Sequence, residues 1–195
     1  MKQKQLIFTH GGETFNNETE YLNWLQSYQV EEPSSAPPKK WRSELFEKLQ
    51  NENWQIIAPT MPCYKNAKYE HWKIWIEKYL PYIKDGAVFI GHSLGASFLS
   101  QYFQENEIGR FSQIHLVAPA YNLQAGGFRH EKDFSLLEKQ FEEIYIYHSK
   151  DDAVVPFEDS EKLHALIPSS KFISFEDRNH FFDERSPEIE KFLHL

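Results

Sequence analysis

The chain has one cysteine, Cys63, so no disulfide can form within it and its stability must come from a packed core. No apolar run approaches the roughly 20 residues of a membrane-crossing helix. The first residues, Met1-Lys2-Gln3-Lys4-Gln5, lead into a short apolar segment without the hydrophobic stretch of a secretory leader. These absences together lead to the expectation of a cytoplasmic protein that does not engage a membrane. Basic clusters are also missing. Lys39-Lys40 with Arg42 is the largest group, in a chain with 21 basic and 29 acidic residues and a net charge of -8. Such a surface argues against nucleic acid as a partner. Neither His-Glu-x-x-His nor Cys-x-x-Cys occurs, so a metal is not expected.

What is present suits a folded enzyme-sized unit. The composition is 41% hydrophobic and 16% aromatic, and 195 residues are enough for one domain, 1–195, around one sizeable core. No internal repeat is visible. Six short apolar runs recur along the chain: Leu6–Thr9, Gln55–Ala58, Ala87–Ile90, Ile114–Val117, Ile144–Tyr147 and Phe172–Phe175. Being apolar throughout, most of them read as strands buried on both faces of a parallel sheet. Between them, helical stripes run over Trp41–Asn51, Tyr69–Ile83, Leu94–Glu105, Phe157–Ile167 and Ser186–Leu195, the last with Pro187 in its first turn. The alternation predicts a doubly wound α/β fold with a mostly parallel sheet of about six strands flanked by helices. Two connections are long. Glu13–Lys40 holds a short helical stripe, Glu18–Tyr28, and the loose stretch Glu31–Pro38, and it reads as either a partial lid over the site or a structural arm. Ala120–Phe134, with Gly126-Gly127, is the second.

The third run ends in Gly91-His92-Ser93-Leu94-Gly95. Glycine is scarce, 8 in the chain, and Gly-x-Ser-x-Gly would arise by chance in only about two or three chains per hundred of this composition. Flanked by a strand and a helix, it reads as a nucleophile elbow, a tight turn that lifts a serine above the sheet's edge. The bland reading is a strand-turn-helix corner with a surface serine. A serine needs a base to remove its proton, and the base needs an orienting acid. Both follow in order after later strands. Asp152, in Asp152-Ala153-Val154-Val155-Pro156, is the candidate acid and Asp151 its solvated neighbour, unless the two aspartates merely cap a turn. His180 is the candidate base, since its unperturbed pKa suits proton transfer near neutrality, and a buried structural histidine is the alternative. His148 and His164 fit the base less well, His148 because it precedes the acid and His164 because it falls within a helical stripe. Backbone N–H groups of Leu94 and Gly12 are the expected oxyanion donors, with Glu13 as second choice to Gly12. His10 reads as a shaper of its loop, and His92 as packing beneath the elbow. Cys63 is a weaker candidate nucleophile.

On His10-Gly11-Gly12, Ala58-Pro59-Thr60-Met61-Pro62 with Trp72 beyond it, Gly91–Gly95, Asp152–Pro156 and Asn179-His180, the chain resembles the α/β-hydrolase superfamily. More narrowly it is similar to the small serine hydrolases of the retinoblastoma-binding protein 9 and YdeN type. The Met61-Pro62 loop followed by a tryptophan is the narrower marker. The resemblance implies a minimal cap and esterase-like hydrolysis without a cofactor. The chain departs from the pattern in its long Glu13–Lys40 connection and in Asn179, where a glycine often stands. The resulting expectation is a serine hydrolase acting on a small acyl ester or thioester, with Trp24, Tyr64, Tyr121 and Phe128 as aromatics near the site. The rival is a hydrolase-fold module kept for protein binding, with weak or no turnover.

Overall fold

The computed structural model describes residues 3–30, 34, 40–183 and 187–193. Six strands form one sheet: β1 Gln5–Thr9, β2 Gln55–Ile57, β3 Val88–His92, β4 Phe111–Val117, β5 Phe141–Ser149 and β6 Ser170–Phe175. They stand in the order β2-β1-β3-β4-β5-β6. Every pairing is parallel, as the two-face burial of the apolar runs requires. The helices are α1 Glu18–Ser27, α2 Trp41–Asn51, α3 Tyr69–Glu77, α4 Leu94–Glu105, α5 Ser135–Gln140 and α6 Phe157–Leu166. Among the described residues no helix is long and apolar enough to cross a membrane.

Alternate strand residues face opposite cores, because successive side chains point to opposite sides of a sheet. Ile7, Phe89, Ile144 and Ile146 join one core with Trp72, Phe98, Phe103 and Leu163 from α3, α4 and α6. Leu6, Phe8, Val88, Ile90, Tyr145 and Tyr147 join the other, closed by Trp41, Leu45 and Leu49 of α2 and by Ile189 and Leu193. After β1 the chain adds β2 on one side and β3 on the other. The carboxyl ends of β1 and β3 therefore flank the switch point where α/β sheets open a crevice.

Several boundaries differ from the sequence reading. β4 and β5 reach further than their apolar centres, because Gln113, Glu143, His148 and Ser149 still take their places in the ladder. The stripe from Tyr69 does not run to Ile83. The α-helix ends at Glu77 and a 3₁₀ turn covers Leu80–Tyr82, where Pro81 has no N–H to continue it. Among its described residues the closing stripe forms only the 3₁₀ turn Ile189–Lys191, preceded by Glu188 in the left-handed region at φ 63°. Residues 186 and 194–195 of that stripe lie outside the described residues, as does Glu31–Pro38 apart from Ser34. Helix α5 has too short a stripe to stand out from the Ala120–Phe134 connection.

Among the ionisable side chains of the interior is a histidine on β4. His115 on β4 is fully buried, its ring stacked on Tyr145 at 4.8 Å and hydrogen-bonded to the Tyr147 hydroxyl at 2.8 Å and Gln113 Oε1 at 3.1 Å. Burial pushes its pKa down to about 3. Between that value and the unfolded value of 6.5 the unfolded chain binds a proton that the folded chain refuses. Its contribution to stability is therefore complete above pH 6.5 and lost as pH falls toward 3. Urea unfolding at a series of pH values is expected to show stability declining below neutrality. In His115→Gln the slope of that decline should fall by about one proton's worth, up to ~1.4 kcal/mol per pH unit.

Candidate active site

At the end of β3 the chain turns through Ser93 at φ 55° and ψ -126°, a strained conformation for a residue with a side chain. Two glycines permit it. A Cβ on Gly91 would lie 2.6 Å from Ala96 Cα, and one on Gly95 would meet the carbonyl oxygens of Thr9 and His10. The start of α4 is thus pressed against the end of β1. The Ser93 N–H donates to Val117 O at 2.8 Å, which ties the turn to β4.

His180 lies in the loop after β6, with its Nε2 2.8 Å from Ser93 Oγ. Its Nδ1 is 2.7 Å from Asp152 Oδ2. The ionised carboxylate can only accept, so Nδ1 carries the proton and Nε2 is left to accept from the serine hydroxyl. Asp152 Oδ1 accepts the N–H groups of Val154 at 2.8 Å and Val155 at 3.0 Å, an Asx turn that explains the Asp-x-x-Val-Pro spacing. Burial opposes ionisation of this carboxyl, but the hydrogen bonds from His148, His180 and the Val155 N–H outweigh it and hold its pKa well below the usual carboxylate range. Ser93, Asp152 and His180 are therefore brought together in one hydrogen-bonded chain.

The loop after β1 is braced from several sides. His10 donates from Nδ1 to Gly11 O at 2.6 Å and accepts the Met61 N–H on Nε2 at 2.9 Å. Trp72 Nε1 donates to Pro62 O at 2.9 Å, so the tryptophan beyond Met61-Pro62 fastens that segment beside the site. The Glu13 N–H donates to Tyr64 O at 2.7 Å, which removes the second-choice oxyanion donor. The N–H groups of Gly12 and Leu94 make no hydrogen bond among the described residues, and both residues line the cavity that holds Ser93 and His180. A Cβ on Gly12 would run into the Tyr64 carbonyl, so only glycine lets the loop pass there. His92 donates from Nε2 to His180 O at 2.9 Å, and burial, followed by the charge of His180, lowers its pKa to about 3.

The cavity has a volume of about 740 Å³. Glu13, Thr14 and Lys40, at the two ends of the long connection, line it, but helix α1 does not. Of the four aromatics expected near the site, only Tyr64 is a wall residue. Tyr121 and Phe128 border a separate, smaller cavity, and Trp24 of α1 packs on Phe15 and on Tyr21 of the same helix. Aromatic residues serve cores as readily as sites, so their positions were not legible from type alone. Cys63 is exposed and lies off the cavity wall.

A family model described as serine hydrolase matches residues 33–185, more than half of the chain. The chain belongs to the serine hydrolase family. The match includes Ser93, Asp152 and His180 and begins beyond His10-Gly11-Gly12. Among solved structures, this serine hydrolase is similar in fold to the ydeN gene product from B. subtilis. Their TM-score is 0.77 at 18% identity, over 98% of this chain and 97% of that one. Est1E from Butyrivibrio proteoclasticus, in a structure with ferulic acid, has a TM-score of 0.61 at 15% identity, over 99% and 86% of the two chains. The esterase EaEST from Exiguobacterium antarcticum has a TM-score of 0.62 at 18% identity, over 98% and 91%. Among curated proteins, none matches the chain significantly.

Two residues support the site in roles that the sequence of this serine hydrolase did not reveal. His148, fully buried at the end of β5, donates from Nε2 to Asp152 Oδ2 at 3.1 Å and to Val155 O at 3.1 Å, and its Nδ1 accepts the Ser160 hydroxyl at 2.6 Å. Asp151 is a brace as well as a solvated neighbour. Its Oδ1 accepts from Ser149 Oγ at 2.5 Å and from the Asn179 N–H at 2.8 Å, while Ser149 Oγ accepts the Arg178 N–H at 2.8 Å. These bonds hold the backbone that presents His180, with Asn179 in the left-handed region at φ 50°, which asparagine tolerates better than most residues. The only sequence signal was an Asp-Asp pair, and nothing marked His148 as its neighbour.

Asp152 stabilises the fold above its unfolded pKa of about 3.9, and that contribution is lost as pH falls through its depressed folded value. His148→Leu removes one donor to the carboxylate. It is expected to shift the acid-unfolding midpoint to higher pH and to cost about 1–3 kcal/mol at pH 7, because buried partners lose their bonds. Circular dichroism with acid and urea titrations measures both.

Proposed function

We propose that this chain is an esterase-like serine hydrolase that cleaves small acyl esters or thioesters through an acyl-enzyme. The observation that carries this reading is the unbroken chain from Ser93 Oγ through His180 to Asp152, with links of 2.8 and 2.7 Å. The unused N–H groups of Gly12 and Leu94 in the same cavity support it.

In this reading Ser93 Oγ attacks the acyl carbon while His180 Nε2 takes its proton. Asp152 keeps the Nδ1–H tautomer in place and stabilises the imidazolium that forms. The carbonyl oxygen becomes an oxyanion, and the N–H groups of Gly12 and Leu94 are the donors assigned to it, aided by the positive end of α4. Collapse of the tetrahedral intermediate breaks the bond to the leaving alcohol or thiol, which leaves with the proton from His180. Water, deprotonated by His180, then attacks the acyl-serine and releases the carboxylic acid, returning the proton to Ser93. One neighbour in fold, EaEST, bears the name esterase, which favours esters as the first substrates to try.

A fluorophosphonate probe and a p-nitrophenyl ester series test the proposal. The wild type is expected to label and to hydrolyse short esters, and Ser93→Ala is expected to do neither. His180→Ala and Asp152→Asn should lower kcat by roughly 10³-fold or more. A folded wild type that neither labels nor turns over any ester or acyl-CoA thioester would leave the binding-module reading in its place.

A further inference from the structure

The cavity around Ser93 has an electrical asymmetry that ester hydrolysis does not use. Its lining includes two cationic side chains, Lys40 and Arg42, both at the start of α2. Several cations elsewhere in this acidic chain pair with carboxylates. Lys48 of the same helix lies 2.9 Å from Glu44, Lys171 is 2.6 Å from Glu143, and Lys150 is 2.6 Å from Glu176. Arg42 is half-buried, yet among the described residues it has no carboxylate within 4.0 Å, no hydrogen bond from its guanidinium and no aromatic face beneath it. Lys40 is exposed and likewise unpaired among the described residues.

The acidic wall residues do not answer these charges. Asp159 is saturated by the N–H groups of Tyr121 and Asn122 and by the Asn122 amide. Glu13 has no ion pair with either cation within 4.0 Å among the described residues; desolvation raises its pKa, against the lowering effect of the His180 charge. The two cations sit instead on the His10 and His92 side. There burial, and after it the charges of Lys40 and Arg42 among others, depresses the pKa of both rings. The lining also includes an apolar group, Leu123, Val154, Val155 and Pro156. A partly desolvated guanidinium with no partner among the described residues gains from an anion, and its planar fork matches the two oxygens of a carboxylate or phosphate.

We propose that Arg42, assisted by Lys40, forms an anion subsite within this cavity, so that the preferred esters carry a carboxylate or phosphate group beside the scissile acyl bond. The inference rests on the hydrolase reading above and narrows it to a substrate class. The ester binds with its neutral portion along Leu123 and Val155 and its anionic end toward α2.

The test uses the full chain and matched ester pairs. Mono-p-nitrophenyl glutarate against p-nitrophenyl pentanoate places the charge on the acyl side. 4-Carboxyphenyl acetate and 4-phosphonophenyl acetate against 4-carbamoylphenyl acetate place it on the leaving group, and p-nitrophenyl 4-aminobutyrate supplies a cation. One anionic ester is expected to exceed its neutral partner about tenfold in kcat/KM at low salt, the worth of one charge-assisted contact. That ratio should shrink in about 0.5 M salt. It should fall toward unity in Arg42→Gln, be partly kept in Arg42→Lys, and invert toward the cationic ester in Arg42→Glu, a reversal that mere loss of packing would not produce. Neutral esters cleaved as well as their anionic partners by the wild type, or a preference that survives Arg42→Gln, overturns the subsite and leaves the hydrolase reading intact. No cleavage of any ester overturns both.

Discussion

The contact on which the site depends is the close approach of helix α4 to the carboxyl end of strand β1. At Gly95 the two backbones are so near that a single Cβ would meet two carbonyl oxygens. That approach forces the chain through Ser93 in a conformation few residues with side chains adopt, and surrounding structure has to hold it there. The Val117 carbonyl takes the Ser93 N–H, and the packed β1–β3–β4 strands leave the turn nowhere to relax. Strain of this kind is kept by a rigid frame, and here the frame is the centre of a parallel sheet buried on both faces.

On the other side of the site, the frame is polar. The Asp152 side chain is wholly enclosed, which would favour its neutral form, yet two imidazole N–H groups and two backbone N–H groups converge on it. A buried carboxylate with that many donors is fixed in position as well as in charge. Asp151 performs a related task one residue earlier by fastening the 178–179 backbone to the end of β5. The paired aspartates thus divide the work, one toward the imidazole of His180 and one toward the loop that carries it.

Between these two supports lies a cavity whose walls come from distant parts of the chain. The loop after β1 supplies Gly12 and Glu13, the start of α2 supplies Lys40 and Arg42, and the turn before α6 supplies Val154 to Pro156. Where the described residues leave the site without a large cap, such walls are the source of selectivity. The cations and the apolar group of the lining are therefore the natural place to look for substrate preference.

Much of this was legible in the residues themselves. Apolar runs separated by helical stripes announced a parallel sheet, since period and continuity report which faces are buried. Gly91 and Gly95 announced a tight turn, and the order Ser93, Asp152, His180 after successive strands matched a known chemistry. The rest lay in contacts that no local pattern encodes. His148 reaches Asp152 because β5 extends past its apolar centre and α6 packs Ser160 against the ring. Glu13 loses its N–H to Tyr64, 51 residues away. Arg42 faces the cavity only because α2 covers the β1–β3 face of the sheet. Short-range sequence determines backbone preference and which side of an element turns inward. Which side chains meet at the rim was decided by strand register and helix docking, because these bring together loops that are far apart in the chain.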